Sequence, residues 1–115
     1  MSSSFSSSIS GIRAAFGVLA VSAHNTANIN TGGFKKQQVN LIESDNEGVV
    51  VKIRKSTETR ALRQNNKDIN IDEASNVDIV EEIGVQIGVK NLLSANIAAL
   101  KTANEVEKSL IDIVG

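Results

Sequence analysis

The sequence predicts a mainly α-helical chain, with long N- and C-terminal helices separated by a small β-hairpin and loop insertion. Three observations carry that prediction. Apolar residues recur at Phe5, Ile9, Ile12, Phe16, Leu19, Ala23 and Ala27, at helical spacing and within one narrow stripe. Residues 75–114 begin on a capping signal and close on cleanly patterned apolar positions. Between the two helices lie short segments that alternate apolar and polar residues, the period of a strand.

The first helix should stop near Asn28, because Asn30, Gly32 and Gly33 tolerate the left-handed backbone of a helix terminus and tight turn. Its narrow stripe has the form of a coiled-coil seam rather than the wide face of a globular helix. The Ser-rich start, residues 1–8, has little to bury and is expected to be disordered in an isolated monomer. Val39 and Leu41, then Val49, Val51 and Ile53, alternate with polar neighbours, and Ser44-Asp45-Asn46-Glu47-Gly48 supplies a hairpin connection. A lone hairpin is marginal and must lie on a helix or a neighbouring subunit. Residues 56–70 are polar, mixed in charge and read as a loop.

Ser75 is expected to cap the second helix, with Asp78 completing a capping box. Its first half is apolar around Val80, Ile83 and Ile87. In its second half Ile97, Leu100, Ala103, Val106, Leu110, Ile111, Ile113 and Val114 cover half the circumference or more. Lys101, Glu105, Lys108 and Asp112 form a stripe of alternating charge at helical spacing. One narrow seam covers only part of such a helix. The remaining apolar surface asks for neighbours.

A chain of 115 residues supports one domain, here 1–30, 31–74 and 75–115 of a single unit, with a modest core. Aromatics are 3% of residues and hydrophobics 41%, which suits helices packed side by side better than a pocketed enzyme. A net charge of −1 offers no electrostatic case for nucleic acid or an anionic membrane. No cysteine is present, so disulfide and thiolate chemistry are excluded. No uninterrupted apolar run approaches bilayer length, and no basic n-region precedes an apolar block, so neither a membrane span nor a cleaved secretory signal is expected.

Candidate chemical sites all have a plainer reading. His24 lies two residues from Ser22, but residues two apart on a helix diverge and no acid is close by to orient the ring. The acids Asp68, Asp72, Glu73, Asp78, Glu81 and Glu82 lack ligand spacing and read as a solvated helix start favoured by the helix dipole. Lys52, Arg54, Lys55, Arg60 and Arg63 lack interleaved aromatics and read as a solvated face. Gly84-x-x-x-Gly88 marks either a soft turn or a close backbone approach. No catalytic, cofactor-binding or metal-binding residue is assigned, and no cofactor is expected.

The string Asn25-Thr26-Ala27-Asn28-Ile29-Asn30-Thr31-Gly32-Gly33-Phe34-Lys35-Lys36-Gln37 resembles the end of the first helix in flagellar rod and hook (axial) proteins. That family has an Asn-rich helix end followed by Asn-Thr-Pro-Gly-Tyr/Phe-Lys. The distal stretch Ser75-Asn76-Val77-Asp78-Ile79-Val80-Glu81-Glu82, followed by Ala95-Asn96 and Lys101-Thr102-Ala103-Asn104-Glu105, is similar to the family as well. The resemblance covers residues 5–40 and 75–114. Gly32 stands where the family usually has Pro, which implies a looser turn.

The resemblance implies that the terminal helices pair as an antiparallel coiled coil and that copies stack helically into a hollow tube. The implied role is a structural, non-enzymatic subunit of the bacterial flagellar rod, linking motor to hook around the export channel. The short middle favours a proximal-rod-like member. Asn25, Asn28, Asn30, Thr31, Gly33 and Phe34 would set the helix-to-strand turn. Assembly contacts are expected from Phe5, Ile9, Ile12, Phe16, Leu19 and Ala23, and from Val80, Ile83, Ile87, Ile97, Leu100, Val106, Leu110 and Ile113. Phe5 and Ile9 also look like the Phe-x-x-x-hydrophobic element of early export substrates. Implied partners are further copies, other rod proteins and the flagellar type III export apparatus, with no nucleic acid and no direct membrane insertion. The implied location is the basal-body rod crossing the periplasm, reached without signal cleavage. The competing reading is a soluble helical secretion regulator or chaperone-like binding module.

Overall fold

The computed structural model describes residues 2–46, 48–58, 62–64 and 71–115. Two helices dominate it, α1 over Ser2–Ala27 and α2 over Ile79–Val114. Between them come β1 (Gln37–Glu43), β2 (Val49–Lys55), β3 (Leu62–Gln64) and β4 (Ile71–Glu73). The molecule is elongated, 77 × 25 × 13 Å.

β1 and β2 form the expected hairpin, antiparallel, with Gln37 opposite Lys55 and Glu43 opposite Val49. It lies along α1, which supplies the support a lone hairpin needs. Near the tip, the Ser10 hydroxyl donates to the Val49 carbonyl at 2.9 Å and accepts from the Val49 N–H at 2.6 Å. At the base, Asn25 bonds Gln37. The stretch predicted as loop, 56–70, holds one strand of a second antiparallel pair, whose other strand follows it directly, with Leu62 opposite Glu73 and Gln64 opposite Ile71. Three-residue strands are too short to show a period in sequence. Residues 59–61 and 65–70, including Arg60 and Asp68, lie outside the described residues.

The helices run side by side in opposite directions: Asn25 meets Glu82, while Gly11, fourteen positions earlier on α1, meets Asn96, fourteen positions later on α2. The face of α1 turned to α2 is Ser8, Gly11, Ala15, Ser22 and Asn25, all buried, together with Val18. These positions alternate three- and four-residue spacing, like the bulky stripe, but they are small or polar. Small side chains allow close approach. A Cβ added at Gly11 would collide with the Asn96 side-chain amide.

The seam expected at Phe5, Ile9, Ile12, Phe16, Leu19 and Ala23 is therefore not the intrachain seam. Phe16 is 56% exposed, Ile9 40% and Leu19 38%; Ala23 and Ala27 are also exposed, while Phe5 and Ile12 are half-buried. On the helical wheel the stripe sits about a third of a turn from the α2 contact, on the side away from the hairpin. The bulky stripe is expected to pack on the second helix of the same or an adjacent subunit; within this chain the small-residue face takes the α2 contact.

α1 begins at Ser2, within the 1–30 expected for the first helix, and Ser8 is already buried. The start of α2 differs from expectation. α2 is capped by Asp78 rather than Ser75: the Asp78 carboxylate accepts from the N–H groups of Val80 and Glu81 at 2.9 and 3.3 Å. Ser75 is buried, and its hydroxyl accepts from the Val77 N–H. α2 does run to Val114 as expected.

Candidate functional site

Asn25 is 2% exposed and holds three elements together. Its Oδ1 accepts from the Gln37 N–H at 2.8 Å, and its Nδ2 donates to the Gln37 carbonyl at 2.8 Å. The side-chain amide thus stands where a neighbouring strand would, satisfying both backbone groups at the start of β1. The same Nδ2 donates to Glu82 Oε1 at 3.0 Å. Glu82 was expected in a solvated acidic helix start. It is 4% exposed instead, because its position on α2 faces α1, and a buried carboxylate needs such a donor.

Asn76 repeats the device from the other side of the chain. Its Oδ1 accepts from the Lys36 N–H at 2.6 Å, and its Nδ2 donates to the Glu58 carbonyl at 2.9 Å. Its own N–H donates to the Phe34 carbonyl at 3.2 Å. Ser22 and Gln86 extend the network: Gln86 Nε2 donates to Ser22 Oγ at 3.1 Å, and Ser22 Oγ donates to the Glu82 carbonyl at 3.4 Å. The proximal motif and the distal motif therefore interlock at one end of the molecule. Val77, fully buried, lies in the same distal stretch.

An ion pair closes this end. Lys36, only 7% exposed, places Nζ 3.0 Å from Glu81 Oε2 and 3.6 Å from Glu58 Oε2. The hydrogen bond to Glu81 holds the Lys36 ammonium above its ordinary pKa, aided by the charges of Glu81 and Glu58 and opposed by burial. Lys35 pairs with Glu73, whose carbonyl also accepts from the Gly33 N–H.

Most of the predicted turn residues meet here. Gly33 takes the left-handed conformation, φ 69°, where a side chain would be strained. Asn28 Nδ2 donates to the His24 carbonyl at 2.9 Å, and Asn28 Oδ1 accepts from the Thr31 hydroxyl at 3.1 Å, closing the end of α1. Phe34 packs edge-on to His24, ring centroids 5.5 Å apart. Asn30 is exposed and forms no side-chain hydrogen bond among the described residues. His24 thus has a packing role, while Ser22 bonds to α2. Among the described residues, no group of three or more His, Cys, Asp or Glu side chains is placed to hold a metal ion. The network is a mechanical latch, made of groups that bond one another.

Sequence reasoning placed Asn25 in the turn but missed its partners Gln37 and Glu82, and with them the wider network of Ser22, Lys36, Asn76 and Gln86. The available signal was polarity on a helix face otherwise built from small residues.

Around the latch the surface is apolar. On α2, Val80 is 75% exposed, and Ile83, Ile87 and Ile97 are each about half exposed. Gly84 and Gly88 have open space beside them, so among the described residues no other backbone approaches there. Leu100 is half-buried, whereas every residue from Asn104 to Gly115 is exposed, leaving about three turns of α2 beyond the end of α1. Val106, Leu110 and Ile113 lie on that overhang. A cleft of about 410 Å³ opens between β1 and the two helices, with Asn25, Glu82 and Lys36 at its floor.

No protein-family model matches the chain, and no curated protein matches it. By length and composition, residues Phe5–Ala27 and Ile79–Val114 are long and apolar enough to cross a membrane, a correction to the expectation that no segment reaches that size. Buried core helices and signal sequences share that property.

Proposed function

We propose that this chain is a structural subunit of the bacterial flagellar rod, polymerising into the shaft that links motor to hook around the export channel. The observation that carries this reading is the interlocking of the two family-like stretches, Asn25 with Glu82 and Lys36 with Asn76. Residues similar to the family's are the ones that pin both helix ends to the hairpin. The second support is the bulky stripe Ile9, Phe16 and Leu19, left in water by a helix pair that is already joined through another face. A subunit that completes its fold only among neighbours has this distribution of apolar surface.

In this reading α1 and α2 form an antiparallel coiled-coil unit through the small-residue face, and the bulky stripe packs against adjacent subunits. Phe5 and Ile9 serve first in type III export and then in assembly. The chain occupies the rod as it crosses the periplasm and carries out no reaction. Deleting the gene and restoring it on a plasmid tests this. Loss of swimming and of rods in isolated basal bodies, both restored by the plasmid, is the expected result; wild-type swimming in the deletion strain overturns it.

A further inference from the structure

The cleft and the overhang of α2 are complementary features at separate places on one chain. Val18, Val21, Val39, Leu41 and Val85 give the cleft an apolar part among polar side chains, and exposed Arg54 also lines it. The overhang presents Val106, Leu110, Ile113 and Val114, 47–89% exposed and gathered in one helical stripe. Glu107 flanks that stripe. Neither Arg54 nor Glu107 is in an ion pair among the described residues. Glu81 and Glu82 also line the cleft, but Glu81 is paired with Lys36 and Glu82 is bonded by Asn25. β2 around Arg54 carries Lys52 and Lys55 and no acid, so an acidic helix end is attracted to the Arg54 side of the cleft.

We propose that the overhang of α2 from a second copy docks in this cleft, its apolar stripe against Val18 and Val85 and its Glu107 beside Arg54. The chain cannot fill its own cleft. Val85 and Leu110 are on one straight helix, and 25 residues at 1.5 Å each separate them by about 37 Å. A plug and a socket on different parts of one surface make a heterologous contact, which repeats without closing unless the rotation between copies returns to its start. The inference rests on the self-assembly part of the proposed function and assigns it a specific longitudinal contact.

The test uses the full chain, which has no native cysteine. A Val85→Cys, Leu110→Cys protein is oxidised at assembling concentration and resolved without reductant. A ladder of dimers, trimers and larger species is expected, since only neighbouring copies bring the two thiols within the roughly 7 Å Cα separation a disulfide tolerates. Arg54→Glu in this background should reduce the ladder at least tenfold, and adding Glu107→Arg should restore it. A Val80→Cys, Leu110→Cys control, with Val80 outside the cleft, should give monomer. Should Val85→Cys unfold the chain, Leu41→Cys reads out the same contact from β1. Monomer alone, equal ladders from the control, or indifference to the charge reversals overturns the proposal. A chain that fails to ladder while still supporting swimming defeats this contact and leaves the rod reading intact. A ladder from a chain whose deletion leaves swimming unchanged does the opposite.

Discussion

The side-chain amide of Asn25 donates to the buried carboxylate of Glu82 at 3.0 Å, across 57 positions of sequence. The same amide completes the hydrogen bonding of Gln37 at the start of β1. Asn25→Ala therefore orphans a backbone N–H, a backbone carbonyl and a buried carboxylate together. The expected cost is about 3 kcal/mol in urea unfolding, the scale of leaving buried polar and charged partners unmet. Asn25→Asp loses the donor and sets a second carboxylate beside Glu82, so its loss should be greater at pH 7 than at pH 4, where protonation relieves the repulsion.

Close approach of the helices at Gly11 gives a prediction of opposite sign to the exposed glycines. Gly11→Leu should force α1 and α2 apart against Asn96 and lower stability by about 2 kcal/mol, as overpacking does. Gly84→Ala and Gly88→Ala meet open space, and each should raise monomer stability by roughly 1 kcal/mol through helix propensity. Thermal unfolding of the three variants separates the cases.

The Lys36 ion pair sets an alkaline limit. A folded-state pKa above the unfolded one means its contribution is fully present below the unfolded value of 10.5 and is lost as pH rises through the folded value. Unfolding free energy should therefore be insensitive to this group near neutrality and decline above about pH 10. Lys36→Met should remove that part of the decline, measured as the difference in stability between pH 9 and pH 11.

Phe16 separates folding from assembly. Because its ring is 56% exposed, Phe16→Ser should change monomer stability by no more than about 0.5 kcal/mol. Self-association at high concentration should nevertheless be lost in analytical ultracentrifugation. Ala15→Phe, which loads the fully buried face one position away, should do the reverse damage and unfold the monomer.

The helices, the end of α1 and the hairpin could be read from residue patterns because each rests on local chemistry: Asn and Gly at the end of α1, alternation in Val49–Lys55. The cap of α2 could not, since Ser75 and Asp78 are both good capping residues and only Asp78 meets the first N–H groups of the helix. The partner face of α1 could not. Phe16 and Ala15 are adjacent in sequence, and both belong to stripes of valid coiled-coil spacing; only the close contact of Gly11 with Asn96 decides between them. The burial of Glu82 was hidden for the same reason, since Glu81 and Glu82 look identical until α1 is set against one of them. Asn25 stood out in its motif, but its bonds to Gln37 and Glu82 depend on chain reversal at Gly33 and the return of α2.

The central claim, that the uncovered apolar surface of this chain is covered inside a rod, is tested most directly by locating the chain in isolated basal bodies. Density for a compact tag inserted at Asn46, on the hairpin tip, should appear at a fixed height along the rod and at regular angular positions around the channel. Basal bodies with complete rods and no tag density, with the tagged chain recovered as a free monomer, would contradict the account.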